Sequence, residues 1–257
     1  MSALTIVNLI FGVLASSLMV IICIPQLISV LKSKSVGNIS YGTFLIYFFG
    51  GALFILIMVL KKGIGSFEFD SIKNPDSDPI VNIIGNWLFM LIMATTITSF
   101  LIYDKNKSLS FKLPIGLIIW VICLLFTIWF FMAYASEKFR LNLSPDSVLL
   151  TIFTVCATVC TSLPFTLQII KTLRTKSAEG LSPLMLYLGM FINACLAVYL
   201  GTLLPFNSPM WWVCVFFSCL AIVVYIVQIF LYYYYKKMNN CNVISANNNA
   251  NNNIKVS

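Results

Sequence analysis

IPQLISVLKSKSVGNIS at 24–40 and LPFTLQIIKTLRTKSAEGLS at 163–182 decide the reading of this chain. The two stretches lie about 140 residues apart. Each takes an apolar run through a proline, adds about two helical turns, and breaks into a Lys/Ser-rich turn before the next apolar run. A duplication of this kind inside a membrane protein points to a transporter built from two repeats.

Outward from these stretches the chain is apolar. Of its 257 residues 60% are hydrophobic and 9% charged. The runs fall at roughly 5–30, 41–60, 80–103, 114–135, 148–170, 183–204 and 209–235, each long enough to cross ~30 Å of hydrocarbon as a helix. The fold class is therefore all-α integral membrane, with seven transmembrane helices. The first run carries no basic leader or small-residue cleavage site and reads as a retained helix. Spans 1 to 3 and 5 to 7 form two parallel three-helix units, and span 4 is the odd linker that lets both keep one orientation, a 3+1+3 arrangement. The units run 1–105 for the first repeat, 106–140 for span 4 and its loops, 141–237 for the second repeat, and 238–257 for an asparagine-rich tail expected to be disordered.

Charge sets the expected orientation. With the amino terminus outside or lumenal, the inner side holds Lys32, Lys34, Lys105, Lys107, Lys112, Lys171, Arg174, Lys176, Lys236, Lys237 and Lys255, against Lys61, Lys62, Lys73, Lys138 and Arg140 outside. The positive-inside rule favours this sense, with the carboxyl terminus cytosolic. The net +8 needs no nucleic-acid partner, because cytosolic flanks near anionic lipid account for it. All eight carboxylates lie in loops or at span ends, and there is no histidine. Intramembrane carboxylates and histidines are the usual parts of proton relays, so the pattern points away from proton coupling. It also points away from an enzyme, a cofactor or a histidine-based metal site. The eight scattered cysteines read as small hydrophobes. The sequon Asn142-Leu143-Ser144 falls in an outer loop in this topology. No retention signal appears, which leaves plasma membrane and endomembrane (Golgi or vacuole) both open.

Depth counting extends the duplication. Spans 3 and 7 both close on aromatic residues followed by lysine, at Tyr103 with Lys105 and at Tyr235-Lys236. Seventeen residues back stand Asn86 and Ser218, small neutral polar groups at equivalent depth. Asn86 is seven residues past Pro79, roughly 10 Å into its span. A primary amide both donates and accepts without adding charge, which suits a hydroxylated ligand. The plainer reading of a buried asparagine is a hydrogen bond to a neighbouring helix.

Pro25-Gln26 followed by Lys32-Ser33-Lys34-Ser35, and Pro164 followed by Lys171 and Thr175-Lys176-Ser177-Ala178-Glu179-Gly180-Leu181-Ser182-Pro183, resemble the paired PQ-loop motifs of the SWEET sugar transporter family. Phe191-Ile192-Asn193-Ala194 with Tyr199 and Gly201, and Gln228 with Tyr232, resemble that family's sixth and seventh spans. The resemblance covers about 5–235. It implies facilitated diffusion of a mono- or disaccharide by alternating access, in a lipid bilayer and as a homo-oligomer, although no interface motif marks the sequence. It further implies a pocket in which asparagines of the third and seventh spans face each other and aromatic rings stack on the sugar. Asn86 is the candidate for the first by spacing and Asn82 by local motif, Ser218 departs from the second, and Asn193 is a further candidate. Phe54 and Ala197 stand where the family carries tryptophans. Pro25 with Gln26, Pro164 and Pro183 occupy hinge or gate positions, and Tyr41-Gly42-Thr43 replaces the fourth proline. Two alternatives share the fold: a lysosomal or vacuolar amino-acid exporter, whose proton coupling relies on an intramembrane aspartate not seen here, and a non-transporting accessory protein.

Overall fold

The computed structural model describes residues 3–60, 79–139, 148–203, 206 and 209–254. Most of the acidic 62–79 loop, the Asn142 sequon and the Asn82 side chain lie outside the described residues. Among the described residues the helices are α1 (Ala3–Ile21), α2 (Ile24–Ser33), α3 (Tyr41–Leu60), α4 (Pro79–Tyr103), α5 (Leu109–Ala135), α6 (Val148–Ser162), α7 (Phe165–Thr175), α8 (Pro183–Leu203) and α9 (Pro209–Ile254). A short 3₁₀ turn, Glu137–Phe139, follows α5.

These nine segments make seven rods, because α1–α2 and α6–α7 are each one span bent at a proline. Proline lacks an N–H and its ring crowds the preceding turn, so a helix breaks before it and restarts with it in the first turn. Pro25 sits in the first turn of α2 and Pro164 is the N-cap of α7. The ladder continues around both bends, with Ile22 N–H donating to Leu18 O at 2.9 Å and Leu163 N–H to Val159 O at 3.0 Å. Pro183 instead opens α8, where a missing N–H interrupts nothing, so the hinge expected there is not a break within a helix. Tyr41, its repeat counterpart, likewise opens α3. Six rods are long and apolar enough to cross a membrane, and Tyr41–Ile57 of α3 is a seventh, shorter apolar helix.

The rods pack with internal two-fold symmetry. Within the first repeat α4 lies against α1 and α3; within the second α9 lies against α6 and α8. Between repeats α3 meets α6 and α1 meets α8. The linker α5 stands outside this bundle against α4. Two indole–hydroxyl bonds of opposite sense hold it, Trp87 Nε1 to Thr127 Oγ1 at 2.9 Å and Trp120 Nε1 to Thr98 Oγ1 at 3.0 Å. Its remaining faces present Leu113, Leu117, Leu124 and Phe131 outward, as a lipid-facing helix does.

Helix α9 differs from expectation at its end. The asparagine-rich segment read as disordered from 238 continues the helix to Ile254. No proline or glycine after Pro209 interrupts the chain there, so nothing in the backbone enforces a stop.

Both bent rods end in a left-handed residue that is not glycine: Lys34 at φ 49° and Lys176 at φ 50°. A side-chain-bearing residue in this region costs about 1–2 kcal/mol. Lys34→Gly and Lys176→Gly are each expected to raise the unfolding temperature in detergent, by about 1 kcal/mol of stability. An unchanged or lower midpoint would show that the lysine side chains offset the strain.

Candidate functional site

A cavity of about 60 Å³ lies between the repeats. Its first-repeat wall is Gly12, Ala15 and Met19 of α1, Phe54 of α3 and Asn86 of α4; its second-repeat wall includes Thr158, Thr161 and Ser162 of α6 and Ser218 of α9. Leu196, Tyr199 and Leu200 of α8 complete it. Among the described residues no ionisable side chain except the Tyr199 phenol lines the space, which is apolar with a few neutral polar groups. At this volume it is smaller than the ~300–1,000 Å³ of typical ligand pockets, so a ligand of ordinary size fits only when the helices part.

Three of the side chains singled out in the sequence, Asn86, Ser218 and Phe54, therefore meet in one cavity. Asn86 and Ser218 are buried, at 7% and 2% exposure. Depth counting brought them together because 1.5 Å per residue converts sequence position directly into height along a straight helix. Asn193 does not join them. It is buried, and its Nδ2 donates to Gly189 O, one turn back in α8, at 2.8 Å, an intrahelical version of the plainer reading given above.

Toward the end of the bundle that carries the Lys/Ser turns, the cavity is closed by aromatic rings. Phe165 of α7 lies 4.8 Å from Tyr225 of α9 between ring centroids, and 6.5 Å from both Phe44 and Tyr47 of α3. All four are at most 1% exposed. Gly189 makes room for this layer: a Cβ there would come within 2.3 Å of the Tyr225 ring.

Beyond the rings stand two buried glutamines. Gln26 is eight residues before the left-handed Lys34, and Gln168 eight before Lys176. Each reaches across to the turn of the opposite repeat. Gln26 Nε2 donates to Gly180 O at 2.8 Å, and Gln26 Oε1 accepts from Ser182 N–H at 2.8 Å. Gln168 Nε2 donates to Asn38 O at 3.0 Å, and Gln168 Oε1 accepts from Ser40 N–H at 2.8 Å. Asn38 and Gly180, like Ser40 and Ser182, occupy matching places after the two lysines. The four bonds form a reciprocal clamp in which every amide uses one donor and one acceptor.

Backbone and side chain tighten the seam. Asn38 N–H donates to Glu179 O at 2.8 Å, and Asn38 Nδ2 donates to Ser177 O at 2.7 Å and to the Thr175 hydroxyl. Lys171 Nζ adds a one-sided strap to Ile39 O at 2.6 Å. The turns touch through glycine. Gly37 has φ +58° and Gly180 φ +83°, and a Cβ on Gly180 would lie 2.4 Å from Val36 O.

Sequence reasoning selected Gln26 for its place after Pro25 and missed Gln168, because Pro164 stands three residues earlier than the place matching Pro25. The signal was the distance to the Lys-Ser turn, the same in both repeats. The hydroxyls of Thr158, Thr161 and Ser162 were also missed, embedded in an otherwise apolar run.

Fold and site together define a multi-pass membrane protein in which two three-helix repeats enclose a central cavity and cross-link their turns at one end. The PQ loop repeat family model matches residues 7–67 and 143–203. The chain thus carries two copies of the PQ-loop repeat, in a SWEET-like membrane fold. The 3.7 Å resolution structure of a eukaryotic SWEET transporter is similar over 92% of this chain and 100% of that one, with a TM-score of 0.50 and 14% sequence identity. No curated protein matches at a significant level.

Proposed function

We propose that the protein is a facilitative uniporter of mono- or disaccharides, working by alternating access between its two repeats. The observation that carries this reading is the central cavity, whose amide, hydroxyl and aromatic groups are free of fixed charge. Neutral hydroxylated molecules match such a lining, and a zwitterionic amino acid would leave two charges without counterparts in low dielectric. The closed turn end supports alternation, since a gate sealed by rings and backbone clamps must open for a substrate to pass. We place this end in the cytosol, with the amino terminus outside or lumenal, following the lysine and arginine distribution. In this reading the gate parts at Pro25 and Pro164, while Asn86, Ser218 and Phe54 hold the sugar.

Saturable hexose or disaccharide uptake into liposomes containing the purified protein is expected, indifferent to an imposed pH gradient. Asn86→Ala is expected to reduce uptake by roughly tenfold or more, as loss of a buried hydrogen-bonding partner for a ligand hydroxyl does. Uptake that collapses with the proton gradient while the sugar gradient is kept would overturn the uniport mechanism. Absence of flux for every sugar, with amino-acid flux present, would favour the exporter.

A further inference from the structure

The two walls of the path from cavity to turn end are not alike, although the repeats that build them are. Along α6–α7 the buried side chains Thr158, Thr161, Phe165, Gln168 and Thr172 follow one another at three- and four-residue spacing, with Ser162 beside Thr161, so they form one stripe down a single helical face. The bend at Pro164 keeps the stripe continuous into α7. Five of the six are polar, and Phe165 is the one interruption. Aligned on the left-handed lysines and the shared glutamine, the matching positions of α1–α2 hold Ser16, Met19, Val20, Cys23, Gln26 and Val30. From Met19 onward that face is apolar apart from Gln26.

The hydrogen bonding of the stripe carries the point further. Thr158 and Thr161 hydroxyls donate to the carbonyls one turn back, at 2.8 and 2.9 Å. That commits the only proton of each hydroxyl and leaves its lone pairs as acceptors. Thr172 Oγ1 accepts from Gln168 Nε2 at 3.4 Å and Gln228 Nε2 at 3.2 Å. Gln228 Oε1 is buried with no hydrogen-bond partner among the described residues. The lane is uncharged and rich in acceptors, a match for a permeant that brings hydroxyl donors. Polar side chains cost free energy in a membrane bundle unless they bond or face a water-filled route, and a stripe of them in one repeat only is not required by the fold, since the other repeat does without it.

We propose that substrate leaves the cavity along the α6–α7 stripe alone, with Phe165 as the ring that seals this lane, and that the matching face of α1–α2 is a dry surface on which the repeats bear. The proposal rests on the transport reading above. Phe165 suits the role because it contacts Tyr225, Phe44 and Tyr47 from the one place where the stripe loses its polarity. Its counterpart Cys23 meets only a thioether, at 3.9 Å from Met93 Sδ, among the side-chain hydrogen bonds described for it.

Thr172 and Val30 occupy matching places and are both 0% exposed in this conformation, so a difference in their reactivity reports which wall is bared on opening. Thr172→Cys and Val30→Cys are made separately in the full chain, reconstituted in lipid nanodiscs that leave both ends open. Each is treated with the cationic thiol reagent MTSET, and labelling of the new cysteine is read by mass spectrometry. Thr172→Cys is expected to label roughly tenfold faster than Val30→Cys. Adding Phe165→Ala should accelerate labelling at 172 several-fold, while Cys23→Ala leaves it unchanged; Phe165→Leu replaces the alanine variant if that one fails to fold. Equal rates at 172 and 30 would overturn the one-sided lane, and a rate at 172 indifferent to Phe165 would overturn the seal. Labelling does not require a sugar, so an intact difference without hexose uptake would reject the sugar reading and leave the lane standing.

Discussion

Gln26→Ala is expected to loosen the turn end of the bundle by about 2–4 kcal/mol. Removing the amide deletes two buried hydrogen bonds and strands the Gly180 carbonyl and the Ser182 N–H, and each stranded buried group costs about 1–3 kcal/mol. Because every 1.4 kcal/mol is tenfold in an equilibrium, the closed arrangement should lose roughly ten- to a thousandfold in its favour over arrangements with the turns apart. Gln168→Ala should do the same through Asn38 and Ser40. Gln26→Glu is expected to be at least as harmful as alanine, since a carboxylate has no donor for the Gly180 carbonyl and repels it at short range. Unfolding midpoints and thiol labelling at the turns would measure both effects. Neutral behaviour of the two single variants and of their double would show that the clamp does not hold the end closed.

Gly180→Val should be the most damaging single substitution at the seam. At φ +83° a β-branched residue is strained whatever space surrounds it, and the added Cβ would stand 2.4 Å from Val36 O, a backbone atom that cannot swing aside. Strain and collision together should cost about 3 kcal/mol or more, seen as loss of monodisperse protein or a large fall in the midpoint. Asn38→Ala at the matching position removes only side-chain bonds and keeps the backbone contacts, so it should cost about 1–2 kcal/mol. A reversed order of the two would locate the weight of the seam in side chains instead of in the approach of the two backbones.

The rods were legible because hydrocarbon thickness demands long apolar runs, and the 3+1+3 order followed from pairing the two Lys/Ser turns. The meeting of Asn86 and Ser218 was legible by height, and Phe54 entered through the family resemblance. What sequence could not supply was reach across the repeats. Gln168 makes its bonds to a turn about 130 residues earlier, and no local pattern records such a partner. Pro183 stands at the first position of α8, where its missing N–H interrupts no helix. The tail expectation weighed composition, whereas the backbone of α9 met no residue that ends a helix. Asn193 was a candidate through the family resemblance, and its Nδ2 bonds within its own helix.

The glutamine clamp grips peptide groups and ignores side chains, and this bears on how the two halves of the chain drift apart. The turns read SVGNIS at 35–40 and SAEGLS at 177–182. Gly37 faces a glutamate in the other copy and Asn38 a glycine, yet the carbonyl and N–H presented to each glutamine remain in place. A lock that recognises only the course of the chain tolerates divergence in the letters between its anchor points. Each half can therefore acquire its own walls, one hydroxylated and one greasy, without either copy losing its hold on the other.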